Sequence, residues 1–80
     1  MDNVTFALVA AAEHGAVASL DAHGEFVSAT QVLNFLQTMH DDGELGIEGF
    51  PDEWNPTLEA EFARHYHQAA ENLSRSRGIL

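Results

Sequence analysis

Five histidines and thirteen carboxylates are the side chains with chemistry to offer in this chain of 80 residues, which has no cysteine and no lysine. His65 and His67 are two positions apart, and on a helix they point about 160° away from each other at ~100° per residue, so they cannot chelate one ion together. Glu61 and His65 are four apart and can meet on one face, but two ligands do not make a metal site. His14, His23 and His40 precede or enter turn-like stretches and are read as facing solvent. No glycine-rich phosphate loop is present, and no serine stands in a nucleophile-elbow context. The absence of cysteine removes disulfides, thiol catalysis and thiolate metal sites together. The expectation is therefore no metal, no cofactor and no enzymatic activity.

The carboxylates carry more information. Thirteen acids face three arginines, Arg64, Arg75 and Arg77, for a formal charge of -10, and residues 1–63 hold twelve of the acids with no arginine or lysine to offset them. Asp41, Asp42, Glu44, Glu48, Asp52 and Glu53 place six of them within thirteen residues, interleaved with Leu45, Ile47, Phe50 and Trp54. The pattern reads as an anionic surface with apolar anchors in it. Exposed acids within a Debye length of roughly 8 Å repel one another and any phosphate-bearing partner, so direct binding to nucleic acid or acidic lipid is not expected. The longest apolar run, residues 4–12, falls far below the ~20 residues that span a bilayer, and it has Asp2 before it rather than a basic leader. No membrane segment and a cytoplasmic location are the expectation.

The elements that must position these acids are legible to different degrees. The size of the chain, with twelve of its 36 hydrophobic residues alanine, leaves room for one domain, residues 1–80, with a modest core. Asn55 followed by Pro56 reads as a helix cap and first helical residue, and Leu58, Phe62, Tyr66, Ala69 and Leu73 recur on one face, opposite Glu61, Arg64, His67, Gln68 and Glu71. A helix over 56–76 follows, with Gly78 as its stop. Ser28 and Gln31 have capping-box spacing before the stripe Val32, Leu33, Leu36 and Met39, which predicts a helix over about 29–41. Asp41 and Asp42 then sit at the end of that helix where the dipole disfavours negative charge, by about 0.3–1 kcal/mol each.

The first third is ambiguous. Val4, Phe6 and Leu8 alternate with Thr5, Ala7 and Val9 as in a strand, and the stretches around Gly15 and Gly24 look like turns bounding short runs. The expected fold is α+β: an antiparallel meander of strands over about 4–12, 16–20 and 25–28, followed by the two helices. The alternative is all-α, with an N-terminal helix over 4–14 closed by Gly15. Residues 43–55 read as a structured connection, with a short strand at 45–48.

Residues 28–47, Ser-Ala-Thr-Gln-Val-Leu-Asn-Phe-Leu-Gln-Thr-Met-His-Asp-Asp-Gly-Glu-Leu-Gly-Ile, resemble the recognition helix and first wing strand of winged-helix DNA-binding domains. That resemblance implies a helix in the major groove, but this one offers no Arg or Lys to phosphate or guanine and would turn both aspartates towards them. As a type, a short acidic domain without catalytic residues is similar to small phage-encoded inhibitors of the anti-CRISPR and DNA-mimic kind. The resemblance implies a non-enzymatic, protein-binding inhibitor, acting in the host cytoplasm if the source is viral, as a monomer or dimer. Its partner would be a basic nucleic-acid-binding protein such as a CRISPR effector subunit. Carboxylates would occupy lysine and arginine positions, and Phe50 and Trp54 would add desolvated contacts. The alternative from another class is a small acidic structural or assembly protein. In that reading the acids serve solubility or high-salt adaptation, and a second copy covers residues 45–54.

Overall fold

In the computed structural model, which describes residues 3–77, the first third of the chain is one continuous helix, α1, Asn3–His23. It is followed by α2, Ala29–Asp41, and α3, Pro56–Arg77, and no strand is present among the described residues. The fold is all-α, which corrects the expected α+β meander over 4–12, 16–20 and 25–28 and the short strand at 45–48. The all-α alternative has the class right but stops its helix nine residues early, at residue 14 rather than His23. Both later helices lie where the sequence places them, and Gly78 lies outside the described residues.

Why α1 is a helix follows from its alanines. Seven of its 21 residues are alanine, the strongest helix former, and the strand-like alternation covers only its first turns. Val4 and Phe6 are 39% and 59% exposed whereas Leu8 is fully buried, so the three do not share a face as they would in a strand. Gly15 was expected to close the helix, and instead it is the point where α2 crosses. A Cβ at this position would overlap Val32 Cγ1 and lie 3.5 Å from Leu36 Cδ1, so the missing methyl is what lets the two helices touch. With Ala11, Ala12 and Ala16 also buried, this face of α1 is nearly flat, and the bulky Phe62 and Tyr66 of α3 are buried in the same core cluster.

In the connection after α1, residues 25–28 are held by side chains and not by strand pairing. Ser19 is buried, and its Oγ donates to the Glu25 carbonyl at 2.7 Å while accepting from the Val27 amide at 2.8 Å. The Val27 carbonyl in turn accepts from the Tyr66 hydroxyl at 2.7 Å. Two side chains from two helices thus satisfy the backbone groups that a neighbouring strand would otherwise pair. The core beneath is Leu8, Val32, Leu33, Leu36, Phe50, Phe62 and Tyr66, with Leu58, Ala69 and Leu73 packed against it as the spacing on α3 predicts. The radius of gyration is 12.0 Å, close to the roughly 12 Å expected of one compact domain of this length.

By length and composition α1 is also apolar enough to cross a bilayer, with mean hydropathy 1.2 over its best 18-residue window. Helical continuation joins the 4–12 run to the apolar residues after Gly15, which the run alone does not show. In the folded molecule 39% of that window is buried, and the helix serves as the core helix of the bundle.

Candidate functional site

The six acids of residues 41–53 ride on a backbone that is pinned at its two ends and at Phe50. Upstream, α2 is held by the predicted capping box: the Gln31 amide donates to Ser28 Oγ at 3.2 Å, and the Ser28 amide reaches Gln31 Oε1 at 3.4 Å. At its other end the Gly43 amide donates to the His40 carbonyl at 3.0 Å and the Glu44 amide to the Met39 carbonyl at 2.9 Å. This paired closure needs a left-handed residue after the cap, and Gly43 supplies it at φ +76°. The chain then dips into the core at Phe50, 5% exposed, and leaves it through Asn55, whose Oδ1 accepts from the Leu58 amide at 2.9 Å to cap α3.

Between those fixed points Asp41, Asp42, Glu44, Glu48, Asp52 and Glu53 are all exposed. One of them is tied: Asp52 Oδ1 lies 2.6 Å from His40 Nε2, with the imidazole centred 4.9 Å from the Phe50 ring. His40 is therefore a half-buried tie between α2 and the loop, where the sequence suggests a solvent-facing residue; His14 and His23 are exposed as expected. Among the described residues none of the other five acids has an ion-pair partner, and the one other ion pair joins Arg75 to Glu71 on α3. The arrangement is a set of exposed carboxylates, five of them without an ion-pair partner among the described residues, on a structured support, with Asp41 and Asp42 placed against the α2 dipole.

The aromatic members of the expected site are placed differently. Phe50 is in the core and Trp54 is half-buried, at ring-centroid distances of 5.4 Å from Phe50 and 6.2 Å from Phe62. Both rings pack against the core and hold the loop down, Phe50 almost completely buried and Trp54 in part, where an outward-facing pair was expected. Leu45 and Ile47 pack inward as well. Physically, interleaved acids and apolar residues fit a loop pinned to its own core as well as they fit a surface with outward anchors.

Apolar surface is found elsewhere. Phe35 is 51% exposed at the edge of the core stripe of α2, and it borders an open groove of about 670 Å³ between α1 and α2. The sequence holds the signal: the stripe of Val32, Leu33, Leu36 and Met39 leaves Phe35 with no place in the core. Among the described residues no three histidines or acids are grouped to hold a metal ion. His67 is exposed, and His65 Nε2 is buried without a hydrogen-bond partner, so the Glu61–His65 meeting that the spacing allows does not form through that nitrogen.

The loop's support and its charge should separate cleanly in mutants. Phe50→Ala should cost about 3 kcal/mol, the usual loss for a buried phenylalanine. Asp52→Asn should cost less than about 1 kcal/mol, because Asp52 is 88% exposed and an exposed pair contributes little. Urea unfolding of the two variants measures this, and equal losses would show that the His40–Asp52 contact holds the loop as firmly as the ring does.

No protein-family model matches the chain, and no curated protein or solved structure matches it significantly.

Proposed function

We propose that this chain is a non-enzymatic, protein-binding inhibitor of the cytoplasm whose carboxylate row imitates the phosphates of a nucleic acid. Its target is a basic nucleic-acid-binding protein, of the kind an anti-CRISPR protein meets in a CRISPR effector subunit. The observation that supports the reading is the exposure of all six acids of residues 41–53 on a loop fixed by a helix closure, a buried ring and a helix cap. A cleft evolved for polyphosphate presents lysine and arginine at fixed spacing, and carboxylates on a loop already pinned to its core lose less entropy in meeting them than carboxylates on an unstructured segment. The alternative, an assembly protein pairing through residues 45–54, has less support, because Leu45, Ile47, Phe50 and Trp54 already serve this chain's own core.

The test compares the wild type with the variant carrying Asp41→Asn, Asp42→Asn, Glu44→Gln and Glu48→Gln. Wild type immobilised on a column should retain, from the lysate of its host, a nucleic-acid-binding protein that duplex DNA displaces and that salt releases steeply between about 50 and 200 mM. The quadruple variant should keep its helical circular dichroism and lose that retention. Retention unchanged in the variant, or a ternary complex in which the captured protein still holds DNA, overturns the reading.

A further inference from the structure

With Phe50 and Trp54 turned inward, the carboxylate row lacks the desolvated apolar contact from which most tight interfaces draw their affinity. We propose that the α1–α2 groove supplies it, and that its occupant is a basic amphipathic helix of the partner protein. The inference rests on the protein-binding reading above and adds the chemistry of the partner.

Three observations carry it. The groove is apolar at its floor and open to solvent, with Gly15, Ala18, Ala22 and Val32 lining it and the half-exposed Phe35 ring on its rim. Its volume of about 670 Å³ is that of a site for several side chains rather than a surface dimple. Its lining comes only from residues 15–35, so α3, which bears the arginines, contributes none of it, and the ionisable groups at the edge are the carboxylate of Asp21 and the imidazole of His23. Phe35 lies seven residues before Asp42, the residue that caps the end of α2, two turns or about 10.5 Å along the same side, so the groove's rim leads towards the first of the exposed acids. A helix with leucine-like residues on one stripe and lysine or arginine beside them matches both parts. A second copy of this chain matches less well, since its first 63 residues bring twelve more acids and no lysine or arginine.

The probe is an 18-residue helical peptide of leucine and lysine, with the leucines spaced i, i+3, i+4, i+7, and fluorescein at one end. Two controls share its length: one with glutamate in place of every lysine, and one with the same composition but the leucines scattered around the helix. The first peptide should bind the wild type one to one, shifting the amide NMR signals of Gly15, Ala18 and Val32. Phe35→Ala, and Ala22→Phe, which fills the groove with the chain's own ring, should each weaken it roughly tenfold or more. The glutamate peptide should not bind, and the scattered peptide should bind at least as weakly as it does to Phe35→Ala. Equal binding of the scattered peptide, or unchanged binding to both variants, overturns the proposal and leaves attraction by charge alone. A wild-type dimer by light scattering that Phe35→Ala converts to monomer also overturns it, by giving the groove to a second copy. The two readings fail separately. Loss of partner retention in the quadruple acid variant with Phe35→Ala unaffected removes the groove and keeps the mimicry; the reverse removes the mimicry and keeps the groove.

Discussion

Tyr66→Asp should leave the chain unfolded at room temperature, whereas His67→Asp, one residue along the same helix, should change stability by less than about 0.5 kcal/mol. Tyr66 is 1% exposed, and its ring is stacked at 10° on the ring of Phe62 with centroids 6.2 Å apart. Truncating a buried aromatic side chain costs about 3–5 kcal/mol, and placing a carboxylate in the same space adds the desolvation of a charge or of a protonated acid without a partner. A domain of this size has a total stability at the low end of the roughly 5–15 kcal/mol range, so the sum exceeds what is available. His67 is exposed, and its exchange for a carboxylate disturbs no packing. Tyr66→Phe divides the effect: it keeps the ring and removes the hydroxyl that Val27 relies on, for about 1–3 kcal/mol. Urea titrations followed by circular dichroism measure all three, and a folded Tyr66→Asp variant would show that α3 presents a different face to the core.

The second large effect has the opposite sign from what helix propensity dictates. Gly15→Ala in the middle of a helix normally stabilises by about 0.5–1 kcal/mol. Here the added methyl meets Val32 Cγ1 inside contact distance. Val32 is 3% exposed, and as a β-branched residue in a helix it has essentially one rotamer, so it cannot swing away. Overpacking of this kind costs about 1–3 kcal/mol, and against the propensity gain the net loss is up to about 2 kcal/mol. Gly15→Leu should not fold at all. The cycle with Val32→Ala separates the terms: in that background the methyl has room, and Gly15→Ala should be neutral or stabilising, a coupling of about 1 kcal/mol or more. If Gly15→Ala stabilises the wild type, α1 and α2 do not meet at Gly15.

These two residues also show what the sequence could and could not disclose. Tyr66 was legible because its neighbours at 58, 62, 69 and 73 repeat a helical period after a cap, and Asn55 does cap α3 as read. The capping box of α2 was legible for the same reason: both partners are three residues apart. Gly15 was not, because a glycine that ends a helix and a glycine that admits a neighbouring helix are the same letter, and Val32, which distinguishes them, is seventeen positions away. Phe26 and Val27 look like a strand, but the groups that pair with Val27 are Ser19 and Tyr66, on two different helices. Of the candidate site, the exposed acids could be read locally, since charge alone keeps them in water. The inward turn of Phe50 and Trp54 could not, because it depends on the space left between α1, α2 and α3.

The clasp of Val27 by Ser19 and Tyr66 bears on the birth of the molecule as well as on its folded state. One half of the clasp is available once residue 27 is made, and the other waits for residue 66, 39 positions later. At ~5–20 residues per second that is roughly 2–8 s of synthesis. During that interval α1, with its apolar residues on every side, has neither Phe62 nor Tyr66 to cover it. The bundle therefore cannot close until its last helix has been made, because that helix carries both the second half of the clasp and the rings that cover α1.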